Sequence, residues 1–430
     1  MIARRPTLVA AIVSLAHSAA MVGPGLVPGR VLSSADIWWF SAPWAAERPA
    51  DLTRPANADL EDAARAFQPL RAEVKRQLPG APLWDPWITS GRPLLADAQS
   101  AAFSPFNVPA WVMPLQRSLA WTALLILWAA TFGMYLLGRA LGMRFAGGLM
   151  AGIVYGLNLW VVAHVSYPHD AVWALLPWLL WATERLVRRP DPGAVGLVAL
   201  VVALQWFGGH PETSSHVLLA AVAFFALRTV QARDRGVRAP LIAMAAGLVA
   251  GTALAAVALV PFGELLLHSA DLSERSGSGV NQHIDPTYLL GFFLYDYWGR
   301  GTETALIPFL FARSWYVGAL PLMLAAAALI VRPRAERLWI AGAAALLLAV
   351  IFGLPPFVQI ATRLPLFSLG HNERLILLVL ACLALLAGWG LDDLLSREAW
   401  QRHRRAIVIA AGVLLAIPFV WVALRGDIDR

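Results

Sequence analysis

Eleven apolar runs separated by short polar connections constrain this chain more than any other feature. They fall approximately at 8–22, 119–137, 145–162, 171–186, 194–207, 215–230, 241–260, 315–331, 338–352, 375–395 and 407–424. A backbone in hydrocarbon must satisfy its own hydrogen bonds, and runs of this kind do so as helices of about 20 residues. Several runs fall short of the roughly 17 residues a span needs, and 194–207 is the weakest. Composition agrees: 59% of the 430 residues are hydrophobic, 14% are charged and mean hydropathy is +0.62, whereas a soluble domain carries about 25% charge. The expected fold class is an all-α polytopic membrane protein of about eleven transmembrane helices. Disorder, a fibre and an ordinary soluble enzyme are excluded.

The arginines orient the spans. Arg4 and Arg5 precede the first run; Arg139 and Arg144 follow the second; Arg185, Arg188 and Arg189 the fourth; Arg228, Arg233, Arg235 and Arg238 the sixth; Arg332, Arg334 and Arg337 the eighth; Arg397, Arg402, Arg404 and Arg405 the tenth. The intervening short connections 164–170 and 208–214 contain no Lys or Arg. By the positive-inside rule the N-terminus lies inside and the C-terminus outside the membrane, and a count wrong by one would place arginine-rich loops on both sides. The first run also has the outline of a secretory signal, with two arginines ahead of it and Ser18-Ala19-Ala20 after its core. Net charge is +7, but it is dispersed between apolar runs and forms no stripe for nucleic acid. Cys382 is the only cysteine, so an intramolecular disulfide is excluded.

This topology makes 1–430 one transmembrane domain with outer segments at 24–117, 262–313 and 353–373. Within the first, 61–78 reads as an amphipathic helix, since Ala64, Phe67, Leu70, Val74 and Leu78 recur at helical spacing before Pro79-Gly80. The sequence contains no GxxxxGK[ST], GxSxG, HExxH or CxxC, and no internal repeat of the kind that marks many secondary transporters.

Ionisable groups gather at outer span ends, where polar side chains tend to line sites; the simpler reading of each is an interfacial residue with its head in water. Asp62 in the first outer loop, with Asp36 as its rival, offers a carboxylate able to deprotonate a hydroxyl or hold a divalent cation. Trp84, in Pro82-Leu83-Trp84-Asp85-Pro86-Trp87, suits either sugar stacking or anchoring in the headgroup layer. Tyr167-Pro168-His169-Asp170 opens one span and Gly208-Gly209-His210-Pro211-Glu212-Thr213 another. Glu212 and His216 are four apart and share a helix face; with His210, and with Asp62 completing the shell, they form a candidate metal set, while Thr213 or Ser214 as a helix cap explains the same residues. Arg275, Arg300, Arg313 and Arg374, with Arg363 nearby, are outer arginines whose planar fork suits phosphate.

These motifs, in order, resemble the bacterial YfhO-like membrane proteins of the glycosyltransferase C superfamily. Asn57, Leu60, Asp62, Phe67 and Pro69 fit that family's N-x-L-L-x-D-x-x-x-x-F-x-P-W pattern, with Leu70 in place of tryptophan and Asp59 in place of an apolar residue. Pro82-Leu83-Trp84-Asp85-Pro86 fits P-L-W-N-P, and Gly91, Pro93, Leu94, Leu95, Ala96, Gln99, Ser100, Ala101, Phe103 and Pro105 fit the segment that follows. Pro168-His169, Pro177-Trp178, Gly208–Thr213, Pro261–Glu264, Tyr316-Val317-Gly318 and Leu386–Leu391 extend the resemblance along nearly the whole chain. One departure is that family members usually continue past the eleventh span, whereas this sequence stops at Arg430.

The resemblance implies a glycosyltransferase that moves a sugar from a polyprenyl-phosphate donor to an envelope glycan, lipid or protein on the outer face. By position Asp62 would be the catalytic base or metal ligand and Asp36 the second choice. Arg275, Arg300, Arg313 and Arg374 would serve the donor phosphate. His169, Asp170, His210, Glu212, His216 and Trp84 would contact substrate or support the site. A lipid-linked glycan transporter and a non-catalytic envelope-assembly protein are the alternatives from other classes.

Overall fold

A computed structural model of the chain describes residues 5–270, 283–295, 297–299, 314–364, 367–368 and 370–425. Arg275, Arg300 and Arg313 lie outside the described residues, as does much of the 262–313 segment. The described chain is almost entirely helical, with one two-stranded hairpin.

All eleven apolar runs fold as helix. Five of these helices are long and apolar enough to cross a membrane: Pro6–Leu26, Leu115–Ala140, Pro211–Gln231, Asn372–Leu394 and Arg397–Leu424. Arg238–Leu254 and Ala256–Leu267 make a sixth if the pair, bent by 73°, is one span. Two of the remaining runs are broken into shorter helices. Run 145–162 splits into Phe145–Gly156 and Leu159–Ala163, and run 171–186 lies across Pro168–Trp173 and Leu176–Arg188. In the second case Pro168 and Pro177 each stand in a first turn, where a proline lacks nothing the helix needs but cannot extend the helix before it.

The chain forms two compact units. One comprises 1–14, 134–163 and 279–430; the other 15–133 and 164–278.

In the first unit the helix Ile376–Leu394 is the central element. Small residues let neighbouring backbones reach it: a Cβ on Gly388 would meet the Gly147 carbonyl oxygen at 2.6 Å, and one on Gly390 would fall on the Leu324 carbonyl. Close approach through glycine is the usual packing device where hydrophobicity cannot drive helices together. At one end Arg337 (4% exposed) forms a buried ion pair with Asp393 (3% exposed).

In the second unit Pro192–Phe207 packs on Arg238–Leu254 through Gly247, which faces Val198, and Gly251, which faces Ala199 and Val202. Leu176–Arg188 and Pro211–Gln231 are joined by a two-pronged pair from Arg228 to the buried Glu184, at 2.6 and 2.9 Å. The segment 24–117 folds as part of this unit. Its amphipathic stretch forms one turn of π-helix, Ala63–Phe67, followed by the α-helix Gln68–Gln77. Ala64, Phe67, Leu70 and Val74 are buried as expected, whereas Leu78 is exposed. The helix ends at Gln77 because Leu78 turns extended ahead of Pro79. Leu70, Val74 and Leu94 pack together with Trp111 alongside. Lys75, the only lysine, donates to the Ala110 carbonyl at 2.9 Å and to that of Met113.

Candidate functional site

The site is built where the loop segment 24–117 meets the connections 164–170 and 208–214 of the same unit. Tyr167 lies in the first connection, buried against Phe67 and Ala63, with ring centroids 5.0 Å from Phe67. Its hydroxyl lies near the acidic residues Asp59, Glu61 and Asp62 of the loop. That hydroxyl is held above the ordinary phenol value by burial first, then by the charges of Asp62, Glu61 and Asp59. Asp62 is itself exposed, yet its carboxyl is raised, first by partial desolvation and then by Glu61. A carboxylate raised toward neutrality is a better proton acceptor than an ordinary one.

From Tyr167 the rings form a chain. Its centroid lies 5.6 Å from His164 and 5.3 Å from His169, and His169 lies 5.6 Å from His210. Pro168 starts a short helix that turns His169 and Asp170 inward, at 3% and 0% exposure. His169 Nε2 stands 3.5 Å from Asp170 Oδ1. Burial raises the Asp170 carboxyl well above its usual value. A buried acid beside an imidazole can orient the ring or share its proton.

His210 caps the helix Pro211–Gln231. Its Nδ1 accepts from the Thr213 N–H at 3.3 Å and lies 2.8 Å from the Thr213 hydroxyl. The cap is therefore the histidine, not Thr213 or Ser214; the Ser214 hydroxyl donates to the Gln205 carbonyl at 2.9 Å. Gly209 adopts φ +89°, and a Cβ there would meet Ala101 Cβ at 2.8 Å and the Ala98 carbonyl at 2.9 Å. The glycine is what lets the loop segment 98–101 rest on this turn. Beside it a narrow apolar crevice, with room for about one water, is lined by Phe103, Trp206, Phe207, Pro211, Leu259 and Phe262, among others.

The other sequence candidates are placed as follows. Asp36 sits in a short 3₁₀ turn, and its carboxylate accepts from the Ala56 N–H at 2.5 Å, closing the loop on itself. Trp84 pairs with Pro93 in the hairpin and covers Gly91, at 51% exposure, and Trp87 is 76% exposed. Glu212 is half-buried and His216 is buried on the same helix. Among the described residues no three His, Cys, Asp or Glu side chains are placed to share a metal ion, so the His210–Glu212–His216 set does not converge. Helical spacing aligns Glu212 with His216, but His210 is turned aside to serve as the cap. Arg374 belongs to the other unit, half-buried in the turn Asn372–Leu375.

Sequence reading missed Arg71. It is 4% exposed, and its Nη2 donates to the Ser166 carbonyl at 3.1 Å. No carboxylate lies within ion-pair distance among the described residues, and burial lowers its pKa to about 10. A buried cation without a counter-ion is costly. The signal was present: position 71 falls between Phe67, Leu70 and Val74, inside the apolar stripe of the amphipathic helix.

No protein-family model and no curated protein matches the chain.

Proposed function

We propose that the chain is a YfhO-like glycosyltransferase of the glycosyltransferase C type. In this reading it has eleven spans with its N-terminus inside, sits in the bacterial cytoplasmic membrane, and transfers a sugar from a polyprenyl phosphate to an envelope acceptor on the outer face. The observation that carries the proposal is the packing of Tyr167 against Ala63 and Phe67, which directly follow Asp62 in the first loop. It puts the first outer loop against the connection that bears His169 and Asp170, with His210 one ring further on.

In this reading the Asp62 carboxylate takes the proton of the acceptor hydroxyl. The acceptor oxygen bonds to the anomeric carbon, and the sugar–phosphate C–O bond breaks with its electron pair leaving on the lipid phosphate. Arg71 supplies buried positive charge to that phosphate, supplementing or replacing the outer arginines Arg275, Arg300, Arg313 and Arg374. The deciding experiment is transfer from labelled polyprenyl-phosphate sugars in membranes, comparing wild type with Asp62→Asn.

Two expected results follow directly. Arg71→Met should weaken donor binding by about 1.5–3 kcal/mol, the worth of a charged hydrogen bond, while melting temperature stays level or rises, because an uncompensated buried charge is removed. A drop in melting temperature with unchanged donor affinity would make Arg71 a structural residue. For topology, cysteines at positions 188 and 300, in a background lacking Cys382, should react with an impermeant thiol reagent from opposite sides. Reaction from one side would end the eleven-span reading.

A further inference from the structure

A second cluster, in the first unit and remote in kind from the acid–imidazole site, surrounds a cleft of about 140 Å³. Three helix ends form it. Leu141, Gly142 and Arg144 come from the connection between Leu115–Ala140 and Phe145–Gly156. Arg332, Arg334, Glu336 and Arg337 come from the turn between Ala319–Val331 and Ala335–Ile351. Trp389, Asp392 and Asp393 come from the last turns of Ile376–Leu394.

Two of its carboxylates are already engaged. Asp392 accepts from the backbone N–H of Arg144 at 2.5 Å and of Gly147 at 3.0 Å, capping a helix. Asp393 takes Arg337 and, at 3.5 Å, Arg332. Arg144 and Arg334 are exposed, and among the described residues neither has a carboxylate within 4.0 Å. Arg337 also donates to the Ala328 carbonyl at 2.9 Å and lies 5.5 Å over the Trp389 ring, yet among the described residues its buried Nε has no hydrogen-bond partner. The positive-inside rule asks only for arginines in such connections. It does not ask that they ring a cleft, nor that a buried guanidinium be left with an open donor.

We propose that this cleft binds a phosphate oxyanion, with Arg144 and Arg334 as its open cations and Arg337, held by Asp393 and Trp389, as its fixed wall. Arginine forks match phosphate oxygens in pairs. The cleft stands at the ends of apolar helices, which is headgroup height for a lipid, and basic pockets between helices take anionic headgroups. A free phosphate offers the same chemistry, so the test separates the two sources.

The full chain, purified in a neutral detergent, is titrated with phosphatidylglycerol, with phosphatidylcholine and with inorganic phosphate, and bound molecules are counted by native mass spectrometry. The expected result is saturable binding of phosphatidylglycerol over phosphatidylcholine. Arg144→Gln with Arg334→Gln should weaken it by about thirtyfold, roughly fivefold per arginine. Both side chains are exposed, so the double variant should melt like wild type in detergent. Saturable binding of inorganic phosphate that is lost in the double variant would support the oxyanion site and assign it to a soluble ligand. Equal binding of the two lipids with no uptake of phosphate, or a phosphatidylglycerol preference that survives in the double variant, would overturn the proposal. Neither measurement involves sugar transfer, so the result is independent of the reading of Asp62.

Discussion

Asp62→Asn is expected to lower turnover about 10²–10⁴-fold, the contribution of a positioned general base, while donor binding stays near wild type. The separation follows from what each group touches in the reaction. A base acts on the proton that moves in the transition state, so its loss appears in kcat, whereas a phosphate ligand holds the donor before and during reaction, so its loss appears largely in apparent affinity. The asparagine leaves Ala63 and Phe67, which hold Tyr167, in place and changes only the carboxylate, so loop docking should be unaltered. Asp36→Asn should have a smaller effect through the loop, because its carboxylate is occupied by the Ala56 N–H. Full turnover in Asp62→Asn would move the role to Asp36. Full turnover in both single variants and the double variant would remove the first loop from the chemistry and favour a lipid-linked glycan transporter.

Gly390→Ala is expected to destabilise the protein by about 3 kcal/mol or more, at or above the upper end of the overpacking range. The added Cβ would fall on the carbonyl of Leu324, a backbone group of the neighbouring helix Ala319–Val331. A flexible side chain could rotate away; a helix backbone can only move as a body, and Ile376–Leu394 is also held through Gly388 against Gly147. Gly342→Ala is the control, since nothing lies within 4 Å of its Cβ position. It should leave stability level or raise it by up to about 1 kcal/mol through helix propensity. Thermal denaturation of the purified variants in one detergent checks both, and equal melting temperatures would show that the helices at Gly390 have room to part.

Where helices form was written in the order of residues, because an apolar run must satisfy its backbone internally wherever it ends up. The eleven runs and the buried stripe Phe67–Leu70–Val74 are of this kind, as is the pairing of Tyr167-Pro168-His169-Asp170 with a helix start. Whether a run stays whole was not, since breaks such as Gly156 to Leu159 and the 73° bend at Ala255 carry no strong local signal. Nor was the partner of each polar group. Two residues at helical spacing share a face, but the fold chooses what stands opposite. It made His210 a cap instead of a metal ligand, tied Asp36 to Ala56 and left Arg71 buried against a lone carbonyl. Periodicity is a property of neighbours along the chain, whereas burial and charge compensation are properties of neighbours in space, and only the packed structure assigns those.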